Sequence, residues 1–189
     1  LPGGCAWGPR PIDYHLTAFE AMGAKVNLRS GYIVTKGNVA SSVVRFPKSS
    51  VGATGNVIMA CTHLPETVTI ENAAMEPEIV DLCNFLSKLG VTFEGLGTPT
   101  LKVKGLELND EVDIEYSIIP DRIEAGTFMV AGAASGGNII LNNVNPSHLD
   151  SVISSLEKTG TKFVISDKQI SLISSSTIEP VDIITDIYP

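Results

Sequence analysis

The chain has 189 residues, 43% of them hydrophobic and 18% charged, and a net charge of −8, a make-up that fits a globular protein with a sizeable core. That acidity argues against general nucleic-acid binding and against a polybasic membrane patch. No apolar run approaches the ~20 residues that span a bilayer. Cys5, Cys61 and Cys83 form an odd set without paired spacing, which points to a reducing compartment, the cytoplasm, rather than a disulfide framework. His15, His63 and His148 are far apart and no CxxC is present, so neither a metal nor another cofactor is expected.

In chain order, Leu1-Pro2-Gly3-Gly4-Cys5-Ala6-Trp7-Gly8-Pro9-Arg10-Pro11 is too rich in Gly and Pro to continue a helix or a central strand and reads as a loop. It leads into a helix from Ile12 to Met22, with Pro11 at the first helical position, Asp13 in the first turn and Gly23 as its end. Lys25–Leu28 and Tyr32–Thr35 read as a hairpin, and Val39–Phe46 as a strand. Ser50 caps a helix of small residues over Val51–Thr62, Val68–Glu71 is a strand, and Glu76-Pro77 opens a helix that ends at Gly90. A second hairpin pairs Val91–Glu94 with Leu101–Lys104.

The order then recurs. Asp121 and Glu124 make a capping-box-like start for a helix up to Ala134, Ile139–Leu141 is a strand, and Asn145-Pro146 opens a helix ending at Gly160. A third hairpin joins Lys162–Ile165 to Ile170–Ile173, and Val181–Ile187 is a last strand candidate. The junctions Met22-Gly23-Ala24-Lys25, Leu89-Gly90-Val91-Thr92 and Thr159-Gly160-Thr161-Lys162 recur about every 70 residues. Each unit reads helix, strand, helix, strand, strand. The first lacks its opening elements and the last strand has no closing partner, so the chain reads as a fragment of a repeat protein, with helices packed inside and sheets outside.

Three stretches carry chemistry. Cys5 sits on a glycine-hinged loop near a helix start and close to Arg10, the setting that lowers a thiol pKa. Cys61 and Cys83 lie on apolar helical stripes and read as core. Lys48-Ser49-Ser50-Val51-Gly52-Ala53-Thr54-Gly55 offers hydroxyls, a cation and backbone donors at a helix start, the ingredients of an anion cradle or of an ordinary capped helix. It is no Walker A motif. Arg10-Pro11-Ile12-Asp13-Tyr14 combines a cation, a carboxylate and a ring at another helix start, suited to a nucleotide base and phosphate or to a solvated helix end. The acidic run Glu71–Glu78 reads as a strand-to-helix turn with a possible catalytic carboxylate, Asp121-Arg122 and Glu124 as capping, and His15 as a surface or satisfied histidine.

Leu1-Pro2-Gly3-Gly4-Cys5, Gly8-Pro9-Arg10-Pro11-Ile12-Asp13, Ser50-Val51-Gly52-Ala53-Thr54, Glu71-Asn72-Ala73-Ala74 with Glu76-Pro77-Glu78-Ile79-Val80-Asp81, and Pro120-Asp121-Arg122-Ile123-Glu124 together resemble the UDP-N-acetylglucosamine 1-carboxyvinyltransferase family of enolpyruvyl transferases. The resemblance runs over nearly the whole chain. It implies an α/β (α+β) fold of repeated βαβαββ units, an inside-out α/β barrel that is incomplete here. Residues 1–119 would be most of the UDP-sugar-side domain, incomplete at its N-terminus, and 120–189 the first unit of the other domain.

It implies chemistry as well. Cys5 matches the catalytic cysteine, a general acid toward the methylene carbon of phosphoenolpyruvate and the target of fosfomycin. Arg10, Pro11, Ile12, Asp13 and Tyr14 match the segment that grips the UDP part of the sugar nucleotide, and Lys48, Ser49, Ser50 and Val51 its diphosphate contacts. Tyr14 stands where Leu is usual, which suggests a ring stack, and Ser49 where Val is common. The implied partners are UDP-N-acetylglucosamine, phosphoenolpyruvate and the missing N- and C-terminal parts of the same enzyme, with no nucleic acid and no membrane. The missing parts hold a Lys-Asn pair, an Arg for phosphoenolpyruvate, the sugar-deprotonating carboxylate and a further Arg, so the fragment alone is expected to be inactive. The alternatives are an enolpyruvyl-shikimate-phosphate-synthase-like relative and a truncated, non-catalytic nucleotide-sugar-binding module.

Overall fold

The computed structural model of the protein describes residues 4–6, 8–106 and 113–188, with only the backbone of Cys5 and Pro9. Leu1, Pro2, Gly3 and Trp7 of the N-terminal motif lie outside the described residues. The chain divides into two compact units, the first reaching Tyr116 and also taking Tyr188, the second running from Ser117 to Ile187.

The first unit opens with a minimal hairpin, β1 (Gly4–Cys5) against β2 (Gly8–Pro9). It continues through α1 (Asp13–Ala21) and the antiparallel pair β3 (Lys25–Arg29) and β4 (Tyr32–Lys36). One full repeat follows: β5 (Val43–Arg45), α2 (Val51–Ala60), β6 (Thr67–Glu71), α3 (Pro77–Lys88), β7 (Thr92–Glu94) and β8 (Thr100–Lys104). Its sheet has the order β5-β6-β8-β7, with β5 parallel to β6 and the other pairs antiparallel. The parallel pair is joined through α2, as a parallel connection requires a crossover.

Alternation decides which face of this sheet is wet. Val68 and Ile70 of β6 stand opposite Val103 and Leu101 of β8 and all four are buried, while their strand neighbours Thr67, Lys102 and Lys104 face out. Against the buried face lie Ala53, Val57 and Ile58 of α2, Ile79, Cys83 and Leu86 of α3, and Ala18 of α1.

The second unit repeats the scheme with α4 (Arg122–Ser135), β9 (Asn138–Asn142), α5 (Asp150–Lys158), β10 (Lys162–Ser166) and β11 (Gln169–Ile173) in the sheet order β10-β11-β9. Ile170 and Leu172 of β11 stand opposite Leu141 and Ile139 of β9, as Leu101 and Val103 stand opposite Ile70 and Val68. The helix pairs match too. Gly55 of α2 faces Ile79 and Leu82 of α3, and Gly126 of α4 faces Leu149 and Val152 beside α5. The junction glycines Gly23, Gly90 and Gly160 all take φ near +100° (+102°, +100° and +94°), so the sequence period is a period of backbone conformation. The described sheets are open, and no barrel closes among the described residues.

Several boundaries differ from the sequence reading. Cys5 is paired backbone rather than open loop, because Gly4 and Cys5 bridge Pro9 and Gly8. Pro11 lies two positions before the first helical residue, with Ile12 as the N-cap at φ −125°. The strand expected over Val39–Phe46 is confined to β5, the part that meets β6. The helix expected to run to Thr62 ends at Ala60 and tightens into a 3-10 turn, Cys61–His63. Asn145-Pro146 opens only a 3-10 turn: the Asn145 side chain accepts from Ser147 N, and Leu149, at φ −121°, leaves helical geometry before α5 begins. Val181–Ile187 is not a strand; none of the described strands pairs with it, and Ile183 and Ile184 are exposed.

The segment after β8 is tied back to α3. Tyr116 Oη donates to Asp81 Oδ1 at 2.6 Å and its ring meets Phe85 edge-on at 5.5 Å. The hydrogen bond to Asp81, with some burial, pushes the phenol up to about 12.

Two glycines of the first unit predict opposite outcomes. A Cβ on Gly105 would lie 2.1 Å from Cys61 O and 2.5 Å from Thr62 O, so Gly105→Ala must move backbone and is expected to cost about 2–3 kcal/mol. A Cβ on Gly55 would meet side chains at 3.8 Å, an ordinary contact, so Gly55→Ala is expected to stabilise by about 0.5–1 kcal/mol through helix propensity. Urea unfolding of both variants checks the pair of signs.

Candidate functional site

The candidate residues of the first unit cluster at the starts of two neighbouring helices. The β1–β2 hairpin, with Cys5 opposite Gly8, precedes Arg10, Pro11 and Ile12, and these lead into the first turn of α1 at Asp13. Arg10, Pro11 and Asp13 are exposed, and Ile12 caps without a side-chain bond. The second segment enters α2. Ser50 is its N-cap, with Oγ accepting from Ala53 N at 3.3 Å, so this hydroxyl already has a backbone partner. Lys48 and Val51 are exposed, and Ser49 is half-buried.

Two contacts bring the segments together. The Tyr14 ring stacks on Phe46 at 6.1 Å and 23°, so one face of the ring packs on the core cluster just before the α2 entry. One residue on, His15 Nδ1 lies 2.6 Å from Asn56 Nδ2, and the His15 ring sits 3.4 Å from where a Cβ on Gly52 would stand. Asn56 was not legible as part of a site, although Gly52 and Asn56 are four apart and share a helix face.

The acidic run Glu71–Glu78 is a strand-to-helix turn. Arg45 Nε donates to the Glu71 carboxylate across the parallel β5–β6 pair, holding that carboxyl below its usual range and raising the guanidinium. Asn72, at φ +57°, donates from Nδ2 to Phe46 O at 2.7 Å, and Ala74 N donates to the buried Thr54 Oγ1 at 3.0 Å. The turn is therefore bonded to the start of the α2 entry loop at Phe46 and to α2 itself at Thr54. Glu76 Oε2 is buried with no hydrogen-bond partner among the described residues.

In the second unit, Asp121 Oδ1 accepts from Ile123 N at 2.8 Å and from Glu124 N at 3.0 Å, the capping read from sequence. A groove of about 390 Å³ there, lined in part by Ile123, Val130, Leu149 and Val152, contains none of the candidate site residues. Among the described residues no group of three or more His, Cys, Asp or Glu could hold a metal ion, and no helix is long and apolar enough to cross a membrane.

Over residues 1–189 the sequence matches the family described as EPSP synthase (3-phosphoshikimate 1-carboxyvinyltransferase). The chain belongs to the EPSP synthase family. Within it, a UDP-N-acetylglucosamine 1-carboxyvinyltransferase of Campylobacter hominis is 44% identical, and one of Prosthecochloris aestuarii is 42% identical. Both alignments take in 100% of this chain but 45% of the relative, so the chain spans under half the length of these proteins. In structure it is similar to the enolpyruvyl transferase NikO from Streptomyces tendae, with TM-score 0.74, 17% identity, and 88% of this chain and 43% of that one covered. An EPSP synthase from Acinetobacter baumannii gives TM-score 0.60 at 19% identity, covering 91% and 41%. At such identities the likeness is one of fold, and this chain has one complete βαβαββ unit and a second that lacks the first strand among the described residues.

Cys61 and Cys83 are buried, and desolvation pushes both up to about 12. At about pH 8 a thiol of pKa 12 is thiolate at only ~1 part in 10,000. Iodoacetamide is therefore expected to label Cys5 before Cys61 or Cys83 in the native protein, as peptide mass mapping will read. The folded values lie above the ordinary 9.0, so the stability gained from these buried thiols is complete below pH 9.0 and is lost as pH rises toward about 12. The urea midpoint is expected to fall over that window, and to fall less steeply in Cys83→Ala.

Proposed function

We propose that the longer protein to which this chain corresponds transfers the enolpyruvyl group of phosphoenolpyruvate to the 3′-hydroxyl of UDP-N-acetylglucosamine, releasing phosphate, in the first committed step of peptidoglycan synthesis. The observation that carries this reading is the match of the whole chain, at 41–44% identity, to relatives of that name. The adjacency of the α1 and α2 entry segments supports it, since one nucleotide sugar could touch both.

In this proposal Cys5 donates its proton to the methylene carbon of phosphoenolpyruvate. The cation that develops at the neighbouring carbon is attacked by the sugar 3′-oxygen as its hydroxyl proton passes to a carboxylate of the longer protein outside this chain, giving a tetrahedral adduct. Phosphate then leaves as its C–O bond breaks, and loss of a proton from the former methylene carbon restores the double bond. Arg10, Pro11, Ile12, Asp13 and Tyr14 hold the UDP part, with one face of Tyr14 already packed on Phe46. Lys48 and the backbone at Ser49, Ser50 and Val51 meet the diphosphate, where a helix start and a cation favour an anion. The residues up to about 119 form the UDP-sugar side and the remainder one unit of a second domain. The protein acts in the cytoplasm without a metal or other cofactor, and this chain alone does not turn over.

A second reading, transfer to 3-phosphoshikimate, has the family description in its favour. Phosphate release from phosphoenolpyruvate by the full-length protein distinguishes them: it is expected with UDP-N-acetylglucosamine and not with 3-phosphoshikimate, and the reverse result overturns the proposal. Cys5→Ser is expected to lose turnover at least about 100-fold, the scale of a general acid. Cys5→Asp, still an acid but a poor nucleophile, keeps turnover with a lower pH optimum and resists fosfomycin. A Cys5→Ser enzyme as active as wild type removes Cys5 from the proton-donor role.

A further inference from the structure

We propose that His15 is a positioning residue: through Asn56 it sets the first turn of α1 against the first turns of α2, and so holds the Arg10–Tyr14 segment in register with the Lys48–Val51 segment. The proposal rests on the nucleotide-sugar reading above and concerns two residues that this reading does not use.

The two segments approach the ligand from different helices, and Arg10, Pro11, Asp13, Lys48 and Val51 among them are exposed. Something other than the ligand must therefore fix their separation. The Tyr14–Phe46 stack and the apolar packing of Ala18 resist separation of the helices, but such contacts are not directional and permit sliding. The His15–Asn56 bond is directional. At 2.6 Å Asn56 Nδ2 donates to His15 Nδ1, which leaves Nε2 to carry the ring proton. Among the described residues no other side-chain hydrogen bond joins α1 to α2, and α2 carries no charged side chain.

Gly52 lies directly beneath the ring. Its missing Cβ would stand 3.4 Å from both Cε1 and Nε2 of the ring, so the imidazole lies over the first turn of α2, two residues from the Ser50 cap. On α1 the same ring lies one residue after Tyr14 and two after Asp13. One side chain thus spans the two helix starts that carry every candidate contact of the UDP part and the diphosphate.

The test uses the full-length protein and steady-state kinetics with UDP-N-acetylglucosamine and phosphoenolpyruvate. His15→Ala and Asn56→Ala are each expected to raise KM for the sugar nucleotide about tenfold, with kcat and KM for phosphoenolpyruvate nearly unchanged. The double variant is expected to be no worse than either single one, because both remove the same bond. In His15→Asn an amide oxygen can take the place of Nδ1, and most of the lost affinity is expected to return. A general structural role would instead lower the thermal midpoint and affect both substrates. Additive effects, equal losses for the two substrates, or a normal sugar KM in Asn56→Ala overturn the proposal, the last even where His15→Ala fails to fold. A wild-type protein that does not turn over UDP-N-acetylglucosamine refutes the function itself, a result unlike the others because it appears before any variant is made.

Discussion

The close contact of paired helices over one buried sheet face is the constraint on which each unit depends. A sheet four strands wide buries Val68, Ile70, Leu101 and Val103 on a single face, and only a helix layer can cover it. The two helices of each pair meet closely: Gly55 of α2 lies against Ile79 and Leu82, and Gly126 of α4 against Leu149 and Val152, with room for a methyl group at ordinary contact distance. At the end of α2 the chain tightens into the 3-10 turn at Cys61–His63, and Gly105 passes directly against the carbonyls of that turn.

Most of this was legible before any coordinates. Helix starts and stops rest on local chemistry, which is why Ser50, Asp121 and the junction glycines did what their residue types suggest. Strand content was harder to read, because a strand is made by its partner. Val39–Phe46 shrank to the three residues that meet β6, Val181–Ile187 found no partner, and the glycine-rich start gained two bridges from a turn. Asn145-Pro146 carries a good opening signal, yet the Leu149 backbone decides where the helix begins.

The candidate site was legible only in part. Residue types and a family resemblance marked Arg10–Tyr14 and Lys48–Val51, and both lie at helix starts that pack together. What sequence could not give is the link between them. His15 and Asn56 are 41 positions apart, and nothing local to either says that they meet. Glu71 shows the opposite case: an acid that could have been catalytic is occupied by Arg45 because a parallel register sets the two side by side.

The tether from Tyr116 to Asp81 and Phe85 bears on how such a protein could have been assembled. With that tether in place, the segment that leaves β8 is fixed to α3 before the second unit begins at Ser117. A genetic exchange between codons 116 and 117 would cut through no helix and no strand. A seam of that kind leaves every described helix and strand of either unit whole, whichever unit is duplicated or traded.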